Sequence, residues 1–361
     1  MKWEDMMRQP ARLVQAEMPV KRLIAVSDIH GNYKLFTALL EKLEYKPGED
    51  GLVVVGDLVP KGPESIAAVQ YAMELAKHPN TYFLHGNHEL LQEQDADGLL
   101  GYINWWKEKS LLGEMLVALG EPWPQSPEDI PGMLGKLRAA YGAELAFLHG
   151  FPDILETKNL IFAHAGLTDE DTEHQLLGPV VESARFHETV EHTFKKLLVV
   201  GHYPTANFRT DELSNAPILN EKRNVLSIDG GNQIRFTGQL NAVIFDPSTG
   251  EWTWDYVDQF QKIQAPCTQA YAPGFAMMWP NTAVEILHRG EAFTHCRYLH
   301  NGAEVEVPND MLYENEDGVS TKEITTERLA VEEGEPLSLI ASYPHRLLVM
   351  KQGKIGWLVT K

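Results

Sequence analysis

Apolar residues come in short runs that stop at polar, glycine-bearing turns. Leu23-Ile24-Ala25-Val26 closes on Ser27 to Asn32, and Tyr33 to Leu43 then carries Leu35, Leu39, Leu40 and Leu43 at helical spacing. Leu52 to Val55 ends in Gly56-Asp57, and Pro63 to Lys77 reads as a helix with Pro63 suited to its first turn. Thr81 to Leu84 ends in His85-Gly86-Asn87-His88. Three successive strand, polar turn and helix units predict an α/β fold with at least partly parallel strands. In such sheets ligands bind beyond the carboxyl ends of the strands.

The pattern changes along the chain. Gln92 to Phe147 is rich in Leu, Ala, Glu and Lys and is broken by Pro122, Pro124, Pro127 and Pro131, which predicts a helical insertion rather than a separate domain. Strand signals resume at Leu160 to Ala163, Lys196 to Val200, Val225 to Ile228 and Leu240 to Phe245. Asp246 to Gly250 reads as a hairpin turn before Glu251 to Val257. After about Gln264 helical periodicity fades. His300-Asn301-Gly302 and Lys351 to Lys354 each sit between two β-type runs, as hairpin turns do. The expected organisation is an extension over 1–20, a catalytic domain over 21–263 with its insertion at about 92–147, and a small all-β domain over 264–361.

Composition narrows the field without naming a chemistry. Among 361 residues, 31 Lys and Arg against 51 Asp and Glu give a net charge of −20. That balance makes extended nucleic acid a poor partner, because affinity for it rests on neutralising phosphates. A cation site in a cleft is compatible with an acidic chain. Cys267 and Cys296 cannot build a disulfide framework. Met1 to Val20 has no apolar signal core, and no apolar run approaches the roughly 20 residues that span a bilayer. The expectation is a soluble, cytoplasmic protein with no membrane partner.

Five polar motifs fall at or near strand ends: Asp28-Ile29-His30-Gly31, Gly56-Asp57, Gly86-Asn87-His88-Glu89, His164-Ala165-Gly166 and Gly201-His202-Tyr203-Pro204. Asp28, His30, Asp57, Asn87, His164 and His202 offer carboxylate, imidazole and amide ligands and no thiolate. That donor mix suits divalent ions such as Mn, Fe or Zn rather than Cu(I). Six ligands are too many for one ion with open positions, and they suit two ions sharing a carboxylate. Two ions about 3.5–4 Å apart can clamp both the attacking and the leaving oxygen of a phosphoryl displacement. Each motif alone is weak. Their order and near-equal spacing at strand ends carry the reading.

These motifs resemble those of the calcineurin-like metallophosphoesterases, and within them the phosphoprotein-phosphatase branch that includes bacterial serine/threonine phosphatases and dinucleoside tetraphosphatases. The matching segments are Ser27 to Gly31, Gly56 to Gly62, Gly86 to Glu89, His164 to Gly166 and Gly201-His202, spread over about Arg22 to Val257. The resemblance implies a β-sandwich flanked by helices (αββα). It also implies two divalent metal ions, Mn before Fe, Zn, Co or Mg. Asp28 and His30 would bind the first ion, Asp57 would bridge, and Asn87, His164 and His202 would bind the second. A metal-bound hydroxide would attack phosphorus while His88 protonates the leaving oxygen. The tail, with Gly356-Trp357-Leu358, is similar to small Src-homology-type barrels and is expected to offer a site to a protein or peptide partner.

The chain departs from the family at Pro60-Lys61, where Asp-Arg is usual. Pro60 cannot orient and charge His88, and Lys61 supplies a charge to phosphate without the guanidinium fork. Arg185 resembles a second phosphate-contacting arginine of bacterial relatives. Trp105 and Trp106 in the insertion are candidates to line a substrate cleft, although packing is the commoner fate of tryptophan. The expected activity is hydrolysis of phosphomonoesters, including phosphoserine or phosphothreonine. The alternatives are hydrolysis of a dinucleoside polyphosphate or another nucleotide anhydride, and a binding protein whose metal site is structural.

Overall fold

A computed structural model describes residues 1–90, 93–183, 194–316 and 318–360. The chain divides into two compact units. One comprises Met1–Pro204, Pro217–Ile234 and Gly238–Val257, and the other comprises Thr205–Ala216, Arg235–Thr237 and Asp258–Lys361.

The first unit holds eleven strands and eight α-helices among its described residues. The strands are β1 (Leu13–Gln15), β2 (Leu23–Val26), β3 (Gly51–Val54), β4 (Thr81–Phe83), β5 (Ile154–Glu156), β6 (Leu160–Ala163), β7 (Leu197–Val200), β8 (Ile218–Asn220), β9 (Val225–Ser227), β10 (Leu240–Phe245) and β11 (Trp252–Val257). The helices are α1 (Trp3–Met6), α2 (Tyr33–Lys42), α3 (Ser65–Leu75), α4 (Asn87–Leu90), α5 (Ala96–Trp106), α6 (Leu111–Leu119), α7 (Ile130–His149) and α8 (Leu177–Glu182). One sheet runs β11-β10-β2-β3-β4, with β2, β3 and β4 parallel. The other runs β1-β5-β6-β7-β9-β8, with β6, β7 and β9 parallel.

The runs that read as continuous apolar strands are buried on both faces, as parallel strands in a layered fold must be. Leu23 and Ala25 of β2 pack between the sheets with Phe162, Val199 and Phe245, while Ile24 and Val26 face a core shared with α2, α3, α5, α6 and α7. On the other sheet Ile161, Ala163, Leu198 and Val200 pack against Leu177, Val180 and Val181 of α8. Helices thus cover both outer faces of a two-sheet sandwich. The helical insertion lies over the outer face of the β2-β3-β4 sheet.

One local expectation is corrected. The helix after Asp57 begins at Ser65, with Glu64 at its N-cap, so Pro63 lies before it and not in its first turn. The carboxylate of Glu114 on α6 accepts from the backbone N–H groups of Ser65 (2.7 Å) and Ile66 (3.3 Å). The first-turn donors are therefore met by a distant side chain.

Among its described residues the second unit is all-β apart from 3₁₀ turns. Gln261–Gln264, Pro336–Tyr343, Arg346–Lys351 and Lys354–Val359 form a four-stranded sheet, and Val284–Arg289, Phe293–Tyr298 and Glu304–Pro308 form a three-stranded one. Its core includes Leu329, Val331, Leu337, Val349 and Leu358. No helix among the described residues is long and apolar enough to cross a membrane.

Candidate metal centre

The carboxyl ends of β2, β3, β6 and β7 converge, and the backbone there is unusual. Asp28 (φ 55°), His30 (φ 50°), Asp57 (φ 52°), Lys61 (φ 83°) and His202 (φ 67°) all adopt the left-handed conformation. That region disfavours residues with a Cβ, and such outliers concentrate at functional sites. Two glycines permit the approach of the loops. A Cβ on Gly86 would lie 2.1 Å from Asp57 Oδ1, and one on Gly201 would lie 2.3 Å from Asp28 Oδ2.

Asp28, Asp57 and His164 each present a ligand atom within 4.8 Å of the others, and all three are buried. His30 Nε2 lies 3.6 Å from Asp28 Oδ1 and 3.8 Å from Asp57 Oδ2, and His164 Nε2 lies 3.5 Å from Asp57 Oδ1. The His164 and His202 rings are 5.0 Å apart. The backbone N–H of His202 donates to Asp28 Oδ2 (2.9 Å), and that of His88 donates to Asp57 Oδ1 (3.2 Å). His164 Nδ1 is 2.9 Å from the Val55 carbonyl oxygen, which can only accept. The proton therefore sits on Nδ1, and Nε2 presents a lone pair to the cluster.

The site passes a test for cations on its own geometry. Among the described residues no hydrogen-bond partner meets Asp28 Oδ1, Asn87 Oδ1 or His164 Nε2, although each atom is buried. Buried polar atoms are normally satisfied, so orphaned atoms on Asp28 and His164, clustered with Asp57, ask for a positive partner. Burial pushes the carboxyl of Asp28 up to about 8, with the Asp57 charge adding to it, and pushes that of Asp57 up to about 6. Burial also pushes His164 and His202 down to about 3. Oxygen and imidazole donors without thiolate match a hard or borderline divalent ion.

Further candidates line the same end of the sandwich. Lys61 Nζ lies 3.1 Å from His30 Nε2. His88 Nε2 is 3.9 Å from Asp57 Oδ2, and among the described residues its buried Nδ1 meets no partner. Burial, followed by the Lys61 charge, holds the His88 imidazole well below its usual range. Of the paired tryptophans, Trp105 is 80 % exposed, whereas the Trp106 ring packs edge-to-face 5.7 Å from His88. Arg185 lies outside the described residues.

Three side chains that support the site carry no legible signal in the sequence. Glu89 is buried and accepts from the backbone N–H groups of Gly86 (2.8 Å), Val59 (3.0 Å) and Asp57 (3.1 Å), so one carboxylate ties the Asp57 loop to the Asn87 turn. Asn232 Nδ2 donates to the carbonyls of Ile29 (2.8 Å) and Asp28 (3.3 Å). Asp229 is fully buried and faces Asp28 closely enough for that charge to help raise its carboxyl. The motif at Gly86 to Glu89 could have pointed to Glu89, but nothing in it says that the acid turns inward.

Residues 21–231 match the model of the calcineurin-like phosphoesterase family, which is more than half of the chain. The chain belongs to that family. It is similar to the symmetrical bis(5'-nucleosyl)-tetraphosphatase of Cronobacter sakazakii, 32% identical over 108 residues that cover 24% of this chain and 36% of that protein. The same enzyme of Escherichia coli K12 is 33% identical over 108 residues, covering 24% and 37%. The chain thus spans little more than a third of the length of these curated relatives. Among solved structures, a protein serine/threonine phosphatase from Saccharomyces cerevisiae aligns with 13% identity and a TM-score of 0.42, covering 72% of this chain and 87% of that one. A metallophosphoesterase from Sphaerobacter thermophilus aligns with 17% identity and a TM-score of 0.40, covering 66% and 88%.

Proposed function

We propose that this chain hydrolyses phosphomonoesters at a centre of two divalent cations, with manganese the first candidate. Asp28 and His30 would hold one cation, Asp57 would bridge, and Asn87, His164 and His202 would hold the other. The observation that carries this reading is that Asp28, Asp57 and His164, from three strand ends, bring buried ligand atoms within 4.8 Å of one another, while among the described residues Asp28 Oδ1 and His164 Nε2 meet no hydrogen-bond partner. Divalent cations bound there supply charge neutralisation and a nucleophile at neutral pH, so no side-chain nucleophile is needed. Lys61 adds a point charge for the phosphoryl oxygens. His88, buried beside Asp57, delivers a proton to the leaving oxygen, which an alkoxide requires.

A second reading has its own support. Among the described residues no acceptor meets Nδ1 of His88, so none of them orients the ring or stabilises its charged form. A phosphoanhydride leaves as a stabilised phosphate and needs less of that proton. The relatives named for cleaving dinucleoside tetraphosphates fit this substrate class.

The test is hydrolysis of 4-nitrophenyl phosphate and bis(4-nitrophenyl) phosphate by metal-stripped protein with Mn, Zn, Fe, Co or Mg restored, beside Asp57→Asn. Metal-dependent turnover of the monoester that is lost in Asp57→Asn is expected. Turnover that survives metal removal would sink the proposal. Comparison of a phosphopeptide with a dinucleoside tetraphosphate then separates the two readings.

A further inference from the structure

The insertion does more than cover a sheet, because it is tied to the metal-site loop at two points. The backbone N–H of Lys61 donates to the Lys109 carbonyl (2.9 Å), and Glu114 of α6 receives the first N–H groups of α3. Just before these anchors α5 ends at Trp106, because Lys107 turns to φ 49°, ψ −126°. A 3₁₀ turn over Lys107–Lys109 leads to Ser110, whose hydroxyl caps α6 by accepting from Gly113 N–H (2.9 Å). The backbone turn that follows Trp106 is thereby fixed by hydrogen bonds.

Its position is specific. Trp106 is half-buried, with part of its surface packed on the helical core. His88 lies edge-to-face at 5.7 Å, and Lys61 Nζ lies 5.8 Å from the centre of the ring. The same flat, apolar surface therefore adjoins the proton donor for the leaving oxygen and the cation for the phosphoryl group. A leaving group that takes its proton from His88 would therefore reach the indole, 5.7 Å from that ring.

We propose that Trp106 is a specificity-determining residue that selects phosphoryl substrates whose leaving group carries a planar aromatic ring, a nucleobase or an aryl group, by stacking. The inference rests on the assignment of the centre as a phosphoryl-hydrolase site and adds to it the class of leaving group. A strand-end site alone would grip only the phosphoryl group and would not discriminate among leaving groups. An indole packed on the helical core adds an apolar contact that every aromatic ring can make and a serine side chain cannot.

The experiment compares the manganese-loaded wild type with Trp106→Ala and Trp106→Phe on 4-nitrophenyl phosphate and on O-phosphoserine, reading KM and kcat separately. Trp106→Ala is expected to raise KM for the aryl ester about tenfold, in line with base–aromatic stacking, and to leave KM for phosphoserine within about twofold. Trp106→Phe should restore most of the aryl preference. Equal losses on both substrates, as a merely structural tryptophan would give, overturn the proposal, and so does no change on either. A binding measurement keeps the test independent of turnover: calorimetric titration of the loaded protein with AMP and with inorganic phosphate. AMP should bind about tenfold more tightly than phosphate to the wild type, and that advantage should vanish in Trp106→Ala. If the wild type hydrolyses neither ester, the assigned reaction fails, while the AMP advantage still decides the role of Trp106. Equal binding of AMP and phosphate to the wild type overturns the stacking proposal.

Discussion

Strands β2 and β3 lie side by side and parallel, and their two ends treat charge in opposite ways. Before the strands, Arg22 grips Asp50 with two hydrogen bonds (3.1 and 2.6 Å), and the same guanidinium donates to the carbonyls of Leu43 and Glu44. The backbone N–H of Lys46 completes the carboxylate's shell. After the strands, Asp28 and Asp57 are buried together, on backbone in the left-handed region, and no arginine among the described residues pairs with either. One end spends its polar groups on closing the fold. The other leaves them open and strained, which lowers stability and is the usual mark of a place where a ligand completes the structure.

The sharpest way to break this contrast is Asp57→Asn. We expect turnover to fall on the order of a thousandfold, because the ligand proposed to be shared by both cations is weakened. The metal-free variant should meanwhile melt about 2–4 °C above the metal-free wild type, since a buried uncompensated charge has been removed. A calorimetric melt in chelator beside an activity assay checks both signs at once. A variant that loses activity and stability together would mean that the carboxylate is structural.

His88→Ala comes next in size. It should lower phosphomonoester hydrolysis by roughly 10²–10⁴ and hydrolysis of a dinucleoside tetraphosphate by much less. Equal rates for wild type and variant on both substrates would remove the proton-donor role.

At the opposite end of the strands, Arg22→Met should reverse the pattern. It leaves a mostly buried carboxylate without its partner at a cost of about 1–3 kcal/mol, moderated because Arg22 is partly exposed. Denaturant melts should report that loss while kcat stays within about twofold.

The smallest effect concerns acid. Burial raises the carboxyl of Asp50, but the hydrogen bonds from Arg22 and from Lys46 N–H outweigh it and hold the group below the usual carboxylate range. A group lowered in the folded state contributes stability above its unfolded pKa and loses it as pH falls through the lowered value. Melting temperature should therefore fall less steeply below about pH 4 in Asp50→Asn than in the wild type.

How much of this could be read beforehand follows from the same contrast. The three strand–turn–helix units are legible because their apolar runs are bounded by glycine and polar residues, and β2, β3 and β4 lie where those runs lie. The expected ligands are candidates because they are ligand types repeated at strand ends, and the fold brings Asp28, Asp57 and His164 together, with His30 beside the two carboxylates and the His202 ring near that of His164. Glu89 is not legible, since its role is to accept three N–H groups from two loops that are distant in sequence. The start of α3 is misread for a related reason, because Glu114 caps it from another helix. Strands β1, β5 and β8 have three residues each, too few for any alternation to show. Trp106 was visible only as one of two adjacent tryptophans. Which of them meets His88 depends on where α5 stops.

The most direct test of the account is a count of bound ions. Manganese per chain, measured by elemental analysis after gel filtration and by calorimetric titration, should be two in the wild type and no more than one in Asp57→Asn. A single ion in the wild type, or two ions undiminished in the variant, would contradict a centre bridged by Asp57.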